Sequence, residues 1–370
     1  MNHDNPQPES PDTPRRFAAV YDVLRKAISA HAFPGCAFGV LAGGKTVLQD
    51  GLGRFTYEAD APSVSADTVY DVASITKVVA TTAAAMLLWQ GGRLDLEAAV
   101  GTLLPEFVAE RTASDPARRV TVRNLLAHNS GLPGYVKFFR TVTTGPALLK
   151  ALMELPLEAE PGARAEYSDP GFMLLGKALE KVMGEPLDRW VKREIFAPLG
   201  MAVMGFLPPA EEHAAIPPTD LDTWLRHRRI QGEVQDENAW LLGGVAGHAG
   251  VFSNVPDLLR FAGEILRAGR ERGGGRLFDA ATIEFFAQRQ GPAGSSCALG
   301  WDTPSQNSSA GRHFSPGSIG HLAFSGCSLW IDLEAGLAVV LLTNRTWPDR
   351  QNQLIRQVRP AFHNAVREAL

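Results

Sequence analysis

The chain has 370 residues, of which 45% are hydrophobic and 21% charged, a composition typical of a globular protein with a large core, here expected in two lobes. The net charge of −4, with an isoelectric point near 6.2, gives no electrostatic reason to expect nucleic acid or an anionic membrane as a partner. Cys36, Cys297 and Cys327 are odd in number and lack metal-ligand spacing, which argues against a disulfide framework or a zinc site.

The first fifteen residues are polar and contain no apolar segment. They do not have the pattern of a secretory signal, and no later run approaches the length of a membrane span. We therefore expect residues 1–14 to form a flexible tail and the protein to be cytoplasmic. The apolar stripe of Phe17, Val20 and Leu24 predicts an amphipathic helix from Pro14 to about His31.

Two runs rich in strand-forming residues, 36–41 and 46–52, are joined by four residues that include two glycines, which predicts a hairpin. The segment from Gly39 to Thr46 also matches the pattern of a phosphate-binding P-loop. A P-loop requires a helix directly after its Lys-Thr pair, whereas the residues that follow here are strand-like and interrupted by glycines. The hairpin is therefore the better interpretation.

Ser74 and Lys77 lie in a segment whose apolar spacing predicts a helix from about Val72 to Trp89, with Asp71 as its N-cap. A serine in the first turn faces unpaired backbone N–H groups, and a lysine three residues later lies on the same side of the helix. A lysine whose pKa is lowered by burial can help to remove the serine proton. The Ser-x-x-Lys pattern alone also arises by chance in a chain of this length.

Two further stretches carry candidate site residues. His128 follows a short helix that Thr121 is expected to cap, and at that position it more often bonds backbone carbonyls than acts as a base. Tyr167 precedes the Asp169-Pro170 pair, which is predicted to cap and open a helix. Its phenol either points into a cleft or packs against the protein.

The second half of the chain returns to strands. Residues 243–250 are too rich in glycine for a helix or strand and predict a loop that approaches other backbone closely, before a helix at 256–268. Residues 327–333 and 337–343 are predicted strands, and 350–368 a last amphipathic helix. This order predicts an α+β fold in which an antiparallel sheet is flanked by the N- and C-terminal helices, with an α/β lobe (15–66 and 296–370) and a helical lobe (67–295). The cleft between the lobes is the expected site.

Taken together, these motifs make the sequence similar to the serine β-lactamase and penicillin-binding-protein-like family, in particular to its class C-like and esterase branch. The resemblance extends from about Ala18 to Arg359. It rests on the following stretches: Ser74-Ile75-Thr76-Lys77, the run from Leu125 to Pro133, Pro161-Gly162 with Tyr167-Ser168-Asp169, residues 243–250, Leu299-Gly300-Trp301, and Gly320-His321 through Asp332.

The resemblance implies a role for each matching residue. Ser74 matches the nucleophile that becomes acylated, Lys77 the lysine bonded to it, and Tyr167 the tyrosine that shares the base role with that lysine. The backbone N–H groups of Ser74 and Phe324 match the family's oxyanion hole, where each donor is typically worth about 3 kcal/mol. No cofactor or metal is implied.

Two positions depart from the family pattern. Asp169 replaces an asparagine, and it is either a helix cap or an accessory site residue. His321-Leu322-Ala323 replaces Lys-Thr-Gly or His-Thr-Gly. His321 is expected to donate a hydrogen bond to Tyr167 or to substrate, but Leu322 has no hydroxyl to bind the carboxylate of penicillins and D-alanyl peptides. Arg345 or Arg350 are the residues that could restore a positive charge.

The resemblance therefore implies a serine hydrolase that works through an acyl-enzyme on a small-molecule ester, amide or β-lactam. The departures favour carboxylic esters or small amides. The alternatives are a β-lactamase or D-alanyl carboxypeptidase, and a binding protein that kept the fold without the activity. The residues leave the oligomeric state open.

Overall fold

The computed structural model describes residues 13–270 and 274–370. Of the predicted tail (residues 1–14), residues 1–12 lie outside the described part of the chain. Over the described residues the strands are β1 (Gly35–Ala42), β2 (Lys45–Gly53), β3 (Tyr70–Asp71), β4 (Gly205–Phe206), β5 (Asp220–Asp222), β6 (Arg228–Ile230), β7 (Val251–Ser253), β8 (Ile319–Leu322), β9 (Ser328–Asp332) and β10 (Leu337–Thr343).

The helices are α1 (Thr13–Arg16), α2 (Ala18–Ser29), α3 (Ala83–Gln90), α4 (Val100–Leu103), α5 (Val122–Leu126), α6 (Gly145–Met153), α7 (Asp169–Met183), α8 (Leu187–Val191), α9 (Glu237–Leu241), α10 (Val255–Arg270), α11 (Ala280–Ala287) and α12 (Ile355–Glu368). The first predicted helix is divided at Phe17 into α1 and α2, and α12 begins five residues later than predicted. Within the described residues, no helix combines the length and apolarity that crossing a membrane requires.

A five-stranded antiparallel sheet is the centre of the fold, with the strand order β2-β1-β10-β9-β8. The N-terminal hairpin joins the C-terminal strands through the pairing of β1 with β10, which runs from Cys36 opposite Thr343 to Ala42 opposite Leu337. Both central strands are buried along almost their whole length, which explains their continuous apolar sequences. The predicted α+β class is confirmed.

The terminal helices cover one face of this sheet, as predicted. Phe17, Val20 and Leu24 at the start of the chain and Phe362 in α12 share a core with Trp330 of β9. Each such side chain contributes roughly 1.5–3 kcal/mol when it leaves water. This layer anchors the two ends of the chain to the same sheet.

The opposite face packs against α10, and Gly39 of β1 makes the close approach possible. A Cβ atom at Gly39 would lie 2.4 Å from Cγ1 of Val255 and 2.9 Å from Cδ1 of Leu259. The glycine that begins the P-loop-like pattern thus serves helix–sheet packing. Gly43 and Gly44 form the hairpin turn with φ angles of 56° and 78°, as a two-residue turn between twisted strands requires. The hairpin interpretation is confirmed, because Lys45 begins β2.

Candidate active site

Ser74 lies on a short irregular helix that follows β3. Residues Ala73–Ile75 form a 3₁₀ turn, Lys77–Thr82 a π-helical turn, and only Ala83–Gln90 is an α-helix. The prediction of one regular helix was therefore wrong at its beginning. Such turns are frequent at functional sites because they redirect side chains without ending the helix.

A buried carboxylate holds the backbone at the start of this turn. Asp71 accepts hydrogen bonds from the backbone N–H of Ala73 at 2.8 Å and of Gln235 at 2.7 Å, so it fixes the entry instead of capping a regular helix. Ala73 has a φ of 43°, a left-handed conformation that is costly for a residue with a Cβ atom. The strained residue directly precedes Ser74, and the two bonds of Asp71 help to hold it there.

The glycine-rich loop 243–250 accepts hydrogen bonds from the π-helical turn and packs against it. The Thr81 hydroxyl donates to the carbonyl of Gly247 at 2.6 Å, and Nζ of Lys77 donates to the carbonyl of His248 at 3.1 Å. A Cβ atom at Gly247 would lie 2.2 Å from the carbonyl oxygen of Phe172 in α7. The predicted close approach of this loop is confirmed, and it delivers a backbone acceptor to the buried lysine.

Lys77 is fully buried and its three ammonium donors all have acceptors. Nζ lies 3.1 Å from Oγ of Ser74, 2.6 Å from Oδ1 of Asp169 and 3.1 Å from the carbonyl oxygen of His248. Burial alone would lower the pKa of Lys77, but the charges of Asp169 and Tyr167 outweigh it, and the pKa is raised above its ordinary value. The expectation of a burial-lowered lysine pKa was wrong, and the resting side chain is an ammonium ion.

Tyr167 stands beside this pair. Its phenol interacts with both Lys77 and Ser74, which oppose the rise of its pKa, and the Lys77 ammonium lies 4.9 Å from its ring centroid. Although 44% of the residue is exposed, desolvation of its phenol by the surrounding protein raises the pKa of Tyr167 to about 12, and the positive charge of Lys77 opposes that rise. Tyr167, which is distant in sequence from Ser74 and Lys77, thus meets them at one point.

Asp169 does not cap α7. The hydroxyl of Ser168 accepts the N–H of Gly171 at 3.0 Å and is the N-cap, whereas Asp169 is the first helical residue. Its carboxylate instead forms the ion pair with Lys77. Of the two alternatives that the sequence left open for Asp169, the cap was wrong, and the residue contacts the catalytic candidates directly.

His128 packs behind Tyr167. Its ring lies 4.7 Å from that of Tyr167 and 4.9 Å from that of Phe172, and Nδ1 accepts the backbone N–H of Ser168 at 3.0 Å. Burial holds its pKa well below the ordinary value, so the ring is neutral. The predicted bonds to backbone carbonyls were wrong, since the ring nitrogen accepts an N–H. His128 supports the loop that carries Tyr167.

His321 of β8 lines the same cavity, but it has no N–H group left to donate to Tyr167 or to a ligand. Nδ1 lies 2.8 Å from the carbonyl oxygen of Leu322, which can only accept, so Nδ1 carries the proton. Burial, together with the charge of Lys77, lowers the pKa of His321 to about 3, and the ring is neutral. Nε2 therefore presents a lone pair. The expectation that His321 donates to Tyr167 or to substrate was wrong, although the two rings lie only 5.8 Å apart.

Phe324 lies in the tight turn between β8 and β9, and it lines the cavity together with Ser74. Arg345 supports this turn and supplies no free charge to the cavity. Its Nε donates to the carbonyl of Phe324 at 2.7 Å, Nη1 donates to the carbonyls of Arg350 and Asn352, and the guanidinium carbon lies 4.5 Å from the ring centroid of Phe324.

A second arginine, which the sequence analysis missed, binds the same turn. Arg359 of α12 donates to the carbonyls of Ala323 at 2.6 Å, Cys327 at 2.9 Å and Gly326 at 3.0 Å. Neither Arg345 nor Arg359 forms an ion pair with a described carboxylate. Burial, with repulsion from neighbouring arginines, lowers the pKa of each to about 10. No local sequence signal marks Arg359, which reads only as part of an amphipathic helix.

The cavity has a volume of about 940 Å³ and includes Ser74, Tyr167, His321 and Phe324 in its lining. Arg350 also lines it, but its guanidinium is paired with Asp220 and, at 2.7 Å, with Glu237. Groups of His, Cys, Asp and Glu side chains arranged to hold a metal ion are absent from the described part of the chain.

The chain resembles known proteins along most of its length. A family model described as Beta-lactamase matches residues 20–361. A protein of Salmonella agona that is named as a D-alanyl-D-alanine carboxypeptidase is 30% identical over 305 residues, which are 75% of this chain and 70% of that protein.

Two solved structures share the fold. EstCE1, a hydrolase with promiscuous acyltransferase activity, is 23% identical, with a TM-score of 0.75 over 96% of this chain and 100% of its own. A penicillin-binding protein homologue from Caulobacter crescentus is 21% identical, with a TM-score of 0.75 over 96% of this chain and 98% of its own. The chain therefore belongs to the β-lactamase family, and it is a serine hydrolase of the β-lactamase-like kind.

Proposed function

We propose that the protein hydrolyses uncharged carboxylic esters, or small amides, through an acyl-enzyme on Ser74. The observation that carries this proposal is the Ser74 hydroxyl, which lies 3.1 Å from the ammonium of the buried Lys77 and interacts with the phenol of Tyr167, in a cavity that Ser74 and Tyr167 both line. A serine becomes a nucleophile when a neighbouring group takes its proton. The remaining residues of the site decide which group that is.

The base is the Tyr167–Lys77 pair after it has lost one proton. Lys77 is an ammonium ion and the pKa of Tyr167 is about 12, so the fully protonated pair dominates near neutral pH. Loss of one proton leaves a phenolate that the adjacent ammonium stabilises. That phenolate accepts the proton of Ser74 as Oγ attacks the carbonyl carbon of the ester, and the rate rises with pH.

Collapse of the tetrahedral intermediate breaks the bond to the alcohol, which leaves with the proton taken from Ser74. Water then attacks the acyl carbon and loses a proton to the pair, and the pair returns that proton to Oγ of Ser74 as the bond to the acyl group breaks and the carboxylic acid is released. During both steps the negative oxygen would bind the N–H groups of Ser74 and Phe324, donors of a kind worth about 3 kcal/mol each. Arg345 and Arg359 hold the turn that carries Phe324 from behind.

The β8 wall favours uncharged substrates over those with a free carboxylate. A carboxylate only accepts hydrogen bonds, yet His321 offers a lone pair at Nε2 and Leu322 offers a hydrocarbon. Arg345 is bound by backbone carbonyls and Arg350 by two carboxylates, so neither supplies the missing charge. A carboxylate held against β8, as opposed to near Lys137 or Arg140 of the same cavity, loses its hydration without compensation. This counts against a β-lactamase or a D-alanyl carboxypeptidase, to which the name of the Salmonella relative would point.

Intact-mass spectrometry tests the proposal. The protein and its Ser74→Ala variant are exposed in parallel to p-nitrophenyl butanoate and to a reporter penicillin, and turnover is followed in the same samples. We expect a butanoyl adduct and turnover with the ester, both absent in the variant, whose turnover falls by on the order of 10³ or more. An adduct with penicillin alone would contradict the esterase and support a β-lactamase or D-alanyl carboxypeptidase. No adduct and no turnover with either would leave the binding protein as the function.

A further inference from the structure

The aromatic side chains that the protein exposes are concentrated at one place. Among the described residues, five aromatic residues belong to the exposed large hydrophobic side chains, and all except Tyr57 line the active-site cavity. Tyr135, Trp224 and Phe324 are 44%, 43% and 48% exposed, respectively. Tyr167 has a role in proton transfer, but the chemistry at Ser74 requires no side-chain contribution from the other three.

The exposed ring of Trp224 is held from behind. It packs against Phe139 at 5.1 Å, and the guanidinium carbon of Arg140 lies 5.8 Å from its centroid. The backbone N–H of Trp224 donates to Asp222 at 3.1 Å, and Asp222 forms a fully buried ion pair with Arg226. The ring therefore has a fixed position on the cavity wall before any ligand arrives.

Phe324 is fixed in the same way. Its ring lies under the guanidinium of Arg345 at 4.5 Å, and its carbonyl accepts a hydrogen bond from that side chain. Its other side is open to the cavity. Rigid aromatic surfaces that are already ordered lose little entropy when a ligand covers them, which makes them effective binding surfaces.

The size of the cavity agrees with a large occupant. Its volume of about 940 Å³ is near the upper end of the roughly 300–1,000 Å³ that small-molecule sites enclose. A short-chain ester would fill only a small part of it and would leave the three rings in water. Covering them removes apolar surface from water, which is favourable in proportion to the area covered.

We infer that Tyr135, Trp224 and Phe324 form an aromatic subsite for a bulky, uncharged, ring-bearing group of the substrate. This inference rests on the proposed function for the reaction, and it adds the class of substrate. The subsite recognises a flat apolar group by stacking and by burial, on either the acyl or the alcohol side of the scissile bond. Short aliphatic esters are then poor substrates compared with ring-bearing ones.

Two ester series test the inference by kcat/KM. One contains p-nitrophenyl acetate, butanoate and 2-naphthylacetate, and the other contains ethyl and 2-naphthylmethyl butanoate. We expect the naphthyl member of at least one series to exceed the smallest member by about tenfold or more. Trp224→Ala should reduce that preference by about tenfold, whereas Trp224→Phe, which keeps a ring, should retain most of it. Leu221→Ala, an exposed residue of the same segment outside the cavity, should leave the preference unchanged.

Binding to the Ser74→Ala variant separates this inference from the proposed reaction. Calorimetric titration with 2-naphthylmethyl butanoate should give binding that Trp224→Ala weakens about tenfold. If such binding is found but neither series is turned over, the proposed reaction is wrong and the subsite stands. If esters are turned over with no preference for the naphthyl group in either series, or if Trp224→Ala affects large and small esters equally, the subsite is overturned.

Discussion

Asp169 determines the protonation of the residues around Ser74. Its carboxylate lies 2.6 Å from Nζ of Lys77, where the family pattern has an uncharged asparagine. Burial alone would lower the pKa of Lys77, and the charge of Asp169 is the largest of the effects that raise it. Burial raises the pKa of Tyr167, and the same charge raises it further. One carboxylate thus makes both partners of the base harder to deprotonate.

Asp169→Asn should therefore move the pH profile of kcat/KM towards lower pH. The reactive form has lost a proton, so the rate rises with pH through the pKa of the Tyr167–Lys77 pair. Removing the negative charge lowers both pKa values, and the half-maximal rate is reached at a lower pH. The profile is measured with ethyl butanoate, which hydrolyses slowly without enzyme, between pH 6 and 12, a range that reaches the pKa of Tyr167.

The matched control is Glu166→Gln, which removes a charge beside Tyr167 from an exposed side chain paired with Arg164. This variant should keep the wild-type profile, because solvent screens an exposed charge. A profile that Asp169→Asn leaves in place, or moves towards higher pH, would show that the Tyr167–Lys77 pair is not the titrating base.

Among the elements, β8 carries the proposed preference for uncharged substrates. Leu322→Thr combined with Ala323→Gly restores a hydroxyl donor and a small residue to its cavity side. A hydrogen bond to a charged group is worth about 1.5–3 kcal/mol, so kcat/KM for a penicillin relative to an ester should rise on the order of tenfold to a hundredfold. Leu322→Ala with Ala323→Gly also enlarges the site but adds no hydroxyl. It should raise the ratio of penicillin to ester kcat/KM by less than half of the factor expected for the first double variant. Equal gains in both double variants would assign the effect to space alone.

The turn between β8 and β9 depends on α12. Arg359→Met removes the donor side chain that binds three carbonyls of the turn carrying Phe324. Because an oxyanion donor acts mainly in the transition state, kcat should fall by about tenfold or more with a smaller change in KM. Arg359→Lys, which keeps the charge and part of the bonding, should recover part of the loss.

Arg111→Met is the control for stability. Arg111 also donates to three backbone carbonyls, those of Phe107, Met153 and Leu155, and it does not line the cavity. Both variants should lose roughly 1–3 kcal/mol of unfolding free energy, since each leaves three backbone carbonyls without their donor, and Arg111→Met also removes an ion pair with Asp115. If Arg359→Met matches Arg111→Met in stability and also keeps the wild-type kcat, the turn does not depend on Arg359 for catalysis.

The molecule as a whole depends on a few close contacts between its layers. Gly39→Ala places a methyl group 2.4 Å from Val255 and should push α10 away from the sheet. Such overpacking typically costs about 1–3 kcal/mol of unfolding free energy. Gly205→Ala adds the same methyl group where no atom lies within 4 Å and should have little effect. Denaturant unfolding of both variants measures the difference, and equal stabilities would contradict the packing role of Gly39.

Local patterns in the sequence determined much of the architecture. The hairpin of β1 and β2, the strand β10 at its predicted bounds and the amphipathic terminal helices follow from periodicity and glycine positions, which act over a few residues. The motif order from Ser74 to Asp332 was specific enough to indicate the family. The division into lobes at residues 66 and 295 stays a prediction.

Tertiary structure decided the properties that depend on atoms distant in sequence. The π-helical turn after Ser74 is held by a loop more than 160 residues away, and Arg359 reaches the turn that carries Phe324 from another layer of the fold. The sign of the Lys77 pKa shift depends on the competition between burial and the groups of Asp169 and Tyr167. The proton on His321 is placed by a single carbonyl. Residue type indicates which groups can ionise or donate, but only their distances and burial decide which of them do.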